Sequence, residues 1–107
     1  MSVVVRRQDI ATAAAGAALD VPGVARLSAG SGVEVSTLYP GGRTLGIRLT
    51  DVGAQVHIVA DQFDLNAVAD QVRTAVARVL AAAGQPSTVD VVVEDVEPAA
   101  LNRRTAN

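Results

Sequence analysis

Asp64-Leu65-Asn66-Ala67-Val68-Ala69-Asp70-Gln71-Val72-Arg73-Thr74-Ala75-Val76-Ala77-Arg78-Val79-Leu80-Ala81-Ala82-Ala83-Gly84-Gln85-Pro86 decides the fold. From Leu65 the apolar positions Val68, Ala69, Val72, Val76, Val79, Leu80 and Ala83 recur in steps of three and four. That spacing draws a single stripe along a 3.6-residue helix. Asn66, Asp70, Arg73, Thr74 and Arg78 fall on the other side. Asp64 stands where an N-cap accepts from the free amides of the first turn. Gly84 suits the left-handed position after a helix, and Pro86 prevents continuation. A helix from Leu65 to Ala83 spans roughly 28 Å. With one apolar face, it requires a sheet to lie on.

The flanking sequence supplies strands. Thr88 to Val96 places Val89, Val91 and Val93 on one side and Asp90, Val92 and Glu94 on the other. Ala54 to Asp61 alternates Val56, Ile58 and Ala60 with Gln55, His57 and Asp61. Arg43 to Asp51 alternates Leu45, Ile47 and Leu49 with Thr44, Gly46, Arg48 and Thr50, and Val33, Val35 and Thr37 alternate with Glu34 and Ser36. Period-two alternation predicts sheets with one buried and one solvated face. The strands at 43–51 and 54–61, separated by a turn at Gly53, are expected to form an antiparallel hairpin. Before them, Gln8 to Leu19 reads as an Ala-faced helix. It ends at Asp20-Val21-Pro22-Gly23-Val24, where Pro22 disfavours helical geometry at Val21. Val24 to Leu27 is a possible short extended segment, and Ser28 to Gly32 reads as a loop.

The expected architecture is α+β, a two-layer sandwich in the order α-β-β-β-α-β. Two helices cover one face of a mixed sheet of three to four strands. If the strands before and after the long helix are parallel neighbours, their crossover is expected to be right-handed. Residues 1–7 read as an N-terminal arm or edge strand, 8–96 as one domain, and 97–107 as a disordered tail.

Composition narrows the function classes. The chain has 107 residues, near the commonest domain size. Ala and Val dominate the apolar half, and Tyr39 and Phe63 are the only aromatics. A thin core follows. The net charge of −2 offers no electrostatic case for nucleic acid. The absence of Cys excludes disulfides, thiolate catalysis and Cys-based metal or cluster sites in this chain. No apolar run approaches the ~20 residues of a membrane span. Val3 to Val5 precede Arg6 and Arg7, the reverse of a signal peptide, so a cytoplasmic location without membrane insertion is expected.

Chemistry-bearing residues are sparse. His57 is the only histidine and reads as a solvated strand residue, since a zinc site needs three or four ligands. Gly30-Ser31-Gly32 has the wrong glycine spacing for a nucleophile elbow, and it precedes a strand instead of opening a helix. Asp90, Glu94, Asp95 and Glu97 read as a charged edge that discourages edge-to-edge pairing. No catalytic, metal or cofactor-binding residue is assigned. Tyr39-Pro40-Gly41-Gly42-Arg43 sets an aromatic and an Arg about a rigid turn, a composition favoured at interaction sites. The sheet face opposite the helices is the other candidate, through Arg48, His57 and Val59.

Several stretches together resemble a known family. Val21-Pro22-Gly23-Val24-Ala25 follows a helix with Ile10 and an Ala-rich face. Val56-His57-Ile58-Val59-Ala60 leads into a helix with Ala69, Val72, Ala75 and Val76, and then into Val89-Asp90-Val91-Val92-Val93-Glu94-Asp95-Val96. This resembles the alkaline shock protein family of bacterial envelope stress response proteins. Pro40-Gly41-Gly42-Arg43 followed by Gly46-Ile47-Arg48 is similar to its short actinobacterial branch. The resemblance covers residues 8–96. It implies a small, cytoplasmic, non-enzymatic protein of cell-envelope homeostasis without cofactor. It also implies a protein partner, in some members a membrane-anchored one that recruits them to the inner face of the membrane, or self-association into a homo-oligomer. The family offers no catalytic residues to carry over, and this chain lacks the Lys/Glu-rich helices of the founding members. The alternative from the residues is a small-ligand-binding regulatory domain. The element order also suits iron–sulfur carrier scaffolds, but the Cys ligands are missing.

The stripe assignment has a direct test. Val72→Asp or Val76→Asp is expected to abolish the cooperative thermal transition, because each would bury an unpaired carboxylate. A melt of either variant near the wild-type temperature would refute the assignment.

Overall fold

A computed structural model describes residues 6–97. The arm and tail expected at the two ends fall largely outside them. Arg7 already belongs to the first helix, and the Glu97 amide donates to the Ala60 carbonyl at 2.7 Å. The elements are α1 (Arg7–Leu19), β1 (Val24–Leu27), β2 (Ser36–Tyr39), β3 (Gly42–Leu45), β4 (Ile47–Leu49), β5 (Gly53–Ala60), α2 (Leu65–Ala82) and β6 (Thr88–Val96).

Helix α2 forms as its pattern requires. Val68, Val72, Val76 and Leu80, four residues apart, are each at most 1% exposed. Each such side chain contributes about 1.5–3 kcal/mol by leaving water. The Asp64 carboxylate accepts from the Ala67 amide at 3.4 Å. At the other end Gly84 takes a φ of +72°. Its amide donates to the Ala81 carbonyl at 3.0 Å and that of Gln85 to the Leu80 carbonyl at 2.9 Å, which closes the last turn.

Strand β5 is the centre of a mixed four-stranded sheet. On one edge β6 runs parallel to it from Gly53 to Ala60. The other edge is shared end to end by two short antiparallel strands. β4 pairs with Ala54–Val56, and β1 pairs with Ile58–Ala60. The handover falls at His57. Its amide donates to the Gly46 carbonyl at 2.9 Å, and its carbonyl accepts from the Ser28 amide at 2.8 Å. Ala54, Val56, Ile58, Ile47 and Val89 form the floor of the core, under the α2 stripe and under Ile10, Ala14 and Ala18 of α1. The core contains no aromatic ring: Phe63 is 72% exposed.

The α+β sandwich is as the patterning implies, and the 47–49/54–56 hairpin and the parallel β5–β6 pair are both present. Between the helices, however, there are five strands instead of three. Val24–Leu27 is a strand of the main sheet. The 33–37 strand shifts to 36–39, and the 43–51 strand is broken in two at Gly46. Gly46 has a φ of +83°, and a Cβ there would lie 2.7 Å from the Leu27 Cβ. The backbone turn at Gly46 sends the two halves to different partners. Before it β3 pairs with β2 as a separate hairpin, closed by Pro40-Gly41 with Gly41 at φ +90°. After it β4 joins β5.

Thr37 fastens this hairpin to the main sheet. Its hydroxyl donates to the Ile47 carbonyl at 2.7 Å and accepts from the Leu49 amide at 3.2 Å, and the residue is fully buried. A side chain here does what a strand ladder would otherwise do. Thr37→Val removes both bonds and leaves a buried carbonyl and amide unpaired, for an expected loss of about 1–3 kcal/mol. Urea unfolding checks it, with Thr37→Ser retaining most of the stability.

Candidate functional site

The sheet face opposite the helices carries Gln55, His57 and Val59 from β5 and Asp90, Val92 and Glu94 from β6. The loop 28–35 comes down onto this face. The loop is folded on itself, with the Val35 amide on the Ala29 carbonyl at 2.8 Å and the Gly30 amide on Ser28 Oγ at 3.1 Å. The Ser31 hydroxyl donates to Glu94 Oε2 at 3.4 Å, and the Arg48 guanidinium donates to the Glu34 carbonyl at 2.8 Å.

This arrangement corrects the expectation of a bare face. Val59 is 2% exposed and cannot meet a partner. His57 is not a freely solvated strand residue. Its Nδ1 lies 2.5 Å from Glu94 Oε1, and the two side chains are only 15% and 19% exposed. A bulge brings them together. Ile58 is opposite Val93 and Val59 is opposite Asp95, so Glu94 is the extra residue of β6. Such an insertion re-aims a side chain without lengthening the partner strand.

A His–Glu pair could serve as a general base only beside a substrate cavity. A cavity of ≈180 Å³ among Arg7, Ile10, Leu49, Thr50, Leu80 and Pro86 lies elsewhere. Among the described residues no three His, Asp or Glu side chains converge as a metal-ligand set. Glu94 links the pair to the loop, since its other carboxylate oxygen accepts from the Ser31 hydroxyl. The acidic residues in and just after β6 divide: Glu94 engages His57, and Glu97 accepts from the Arg26 guanidinium at 2.7 Å.

The 39–43 turn is resolved into two faces by its register. Thr37 opposite Thr44 and Tyr39 opposite Gly42 form the inner face, which Thr37 anchors. Tyr39 is half-buried there, with its hydroxyl 2.9 Å from Thr44 Oγ1. Leu38 opposite Arg43 and Ser36 opposite Leu45 form the outer face. Leu38 is 66% exposed and Leu45 42%. Arg43 reaches Glu34 at 3.2 Å in an exposed pair, of a kind worth little to stability.

Of the five residues expected at the interaction surface, then, only Arg43 stands outward and accessible. Tyr39 packs inward, Arg48 braces the loop, His57 is paired and Val59 is buried. Leu38 and Leu45 take their place. Strict alternation assigned Leu45 to the buried side with Ile47 and Leu49. The signal against it was Gly46 between them.

No family model, no curated protein and no solved structure matches this chain.

Removing Glu94 tests the role given to the His57 pair. In Glu94→Ala the amides of residues 29–34 are expected to exchange faster, with about 1 kcal/mol lost from global stability. Hydrogen exchange that is unchanged in the loop would show that Glu94 does not hold it.

Proposed function

We propose that this chain is a non-enzymatic protein-interaction module acting in cell-envelope homeostasis, with the outer face of the β2–β3 hairpin as its contact surface. The observation that carries the reading is the diagonal pair Leu38 and Leu45, exposed beside Arg43 on a hairpin that Thr37 fixes to the sheet. Two large apolar side chains on a rigid, solvent-facing ribbon gain by being covered. An adjacent Arg supplies direction and specificity to that contact.

The resemblance to envelope stress response proteins supports the cellular setting. It favours a cytoplasmic location, with recruitment to the membrane through an anchored protein partner. No described helix is long and apolar enough to cross a membrane, which agrees with recruitment in place of insertion.

Leu38→Asp/Leu45→Asp tests the surface without touching the core. The double variant is expected to melt as the wild type does and to lose the proteins that the wild type captures from a native lysate. Capture of the same partners by both would overturn the hairpin assignment.

A further inference from the structure

The longest strand of the sheet, the nine-residue β6, is paired on one side only among the described residues. The Thr88 amide points to β5, where it meets the Val52 carbonyl at 2.9 Å, and the Val89 carbonyl points away, toward Arg73 Nε at 3.3 Å. Alternation along the strand then turns the amides and carbonyls of Val91 and Val93 outward as well. Thr88-Val89-Asp90-Val91-Val92-Val93 contains no Pro, so each amide of this run can donate, and the bulge at Glu94 ends the regular edge. A groove of ≈670 Å³ lies beside its start, between Ala77, Ala81 and Val89, with Arg73 and Arg78 at its rim.

We propose that the outer edge of β6, unpaired among the described residues, takes up an extended, basic segment of a partner protein as an additional strand. This goes beyond the hairpin surface and uses a different part of the molecule. Charge selects the occupant. On the face away from the helices the edge presents Asp90, Val92 and Asp95. Both aspartates are exposed, and neither is in an ion pair among the described residues. Val92 between them is 41% exposed. A strand alternating cationic and apolar side chains sets all its cationic ones on this face, against the two aspartates, and all its apolar ones on the helix side, beside Val91 and Val93. A second β6 would instead set another Asp90, Glu94 and Asp95 beside the first, and like charges across a ladder are destabilising. Arg73 already covers the Val89 carbonyl, so the addition centres on Val91 and Val93.

The probe is a peptide of about nine residues alternating Arg and Val, long enough for a strand, with a second peptide carrying Glu for Arg. In the free protein the Val91 and Val93 amides are expected to exchange rapidly. The Arg peptide slows both, and the Glu peptide does not bind. Asp90→Arg/Asp95→Arg, both solvent-facing, weakens the Arg peptide by about tenfold, the sum of two cross-strand ion pairs. Leu38→Asp/Leu45→Asp leaves it unchanged, which separates this site from the hairpin surface. The proposal is overturned by failure of the Arg peptide to bind, by equal binding of the two peptides, or by binding that leaves Val91 and Val93 unprotected. It is also overturned if those amides are already protected in the free protein, in a dimer by a second copy or in a monomer by another segment of the chain.

Discussion

Strand β5 has to be covered on two edges and two faces, and nearly every other element is placed by that demand. Its backbone groups need partners along eight residues, because a buried amide or carbonyl left unpaired costs about 1–3 kcal/mol. One edge is met by a single long parallel strand. The other is met by two short antiparallel ones, and His57 bonds to Gly46 and Ser28 at the point where one takes over from the other. The faces are as different as the edges. Small and β-branched side chains meet the helices on one, and the 28–35 loop comes to the other through Glu94 and Arg48.

Filling a core with Ala and Val makes close approach necessary. Each side chain buries little area, so the layers must come near one another. Glycine marks those points. At Gly23 a Cβ would lie 2.6 Å from Val68 Cγ2, and at Gly46 it would meet Leu27. The cost of flexible glycine in the unfolded chain is offset by contacts that no other residue would allow. The buried Thr37 hydroxyl belongs to the same economy of space. One side chain of three heavy atoms joins two sheets that have no shared ladder.

These constraints move recognition away from the most strongly patterned element. The α2 stripe is spent on the core. The sheet face with its His–Glu pair is occupied by the chain's own loop. The outer side of the hairpin, where Leu38 and Leu45 stand in water, and the outer edge of β6 stay uncovered among the described residues. Both are products of strand pairing, and both depend on register: a slip of one residue in β2–β3 would turn Leu38 inward and Thr37 out.

The helix α2, its caps at Asp64 and Gly84, the α+β class and the strands at 54–60 and 88–96 were all legible in the residues, because periodicity and capping are local. The broken strand was not. Leu45, Gly46 and Ile47 fit a single alternating strand as well as they fit two, and only the approach of Leu27 makes Gly46 a corner. The candidate site suffered for the same reason. Val59 and His57 alternate like solvent-facing residues, yet a loop three strands earlier in the chain and a bulge at Glu94, beyond α2, enclose them. Thr37 carries nothing in sequence to distinguish it from a surface threonine. Local order was therefore determined by the sequence read residue by residue. Which faces and edges remain free was decided by tertiary structure, because burial depends on segments far apart in the chain meeting at one surface.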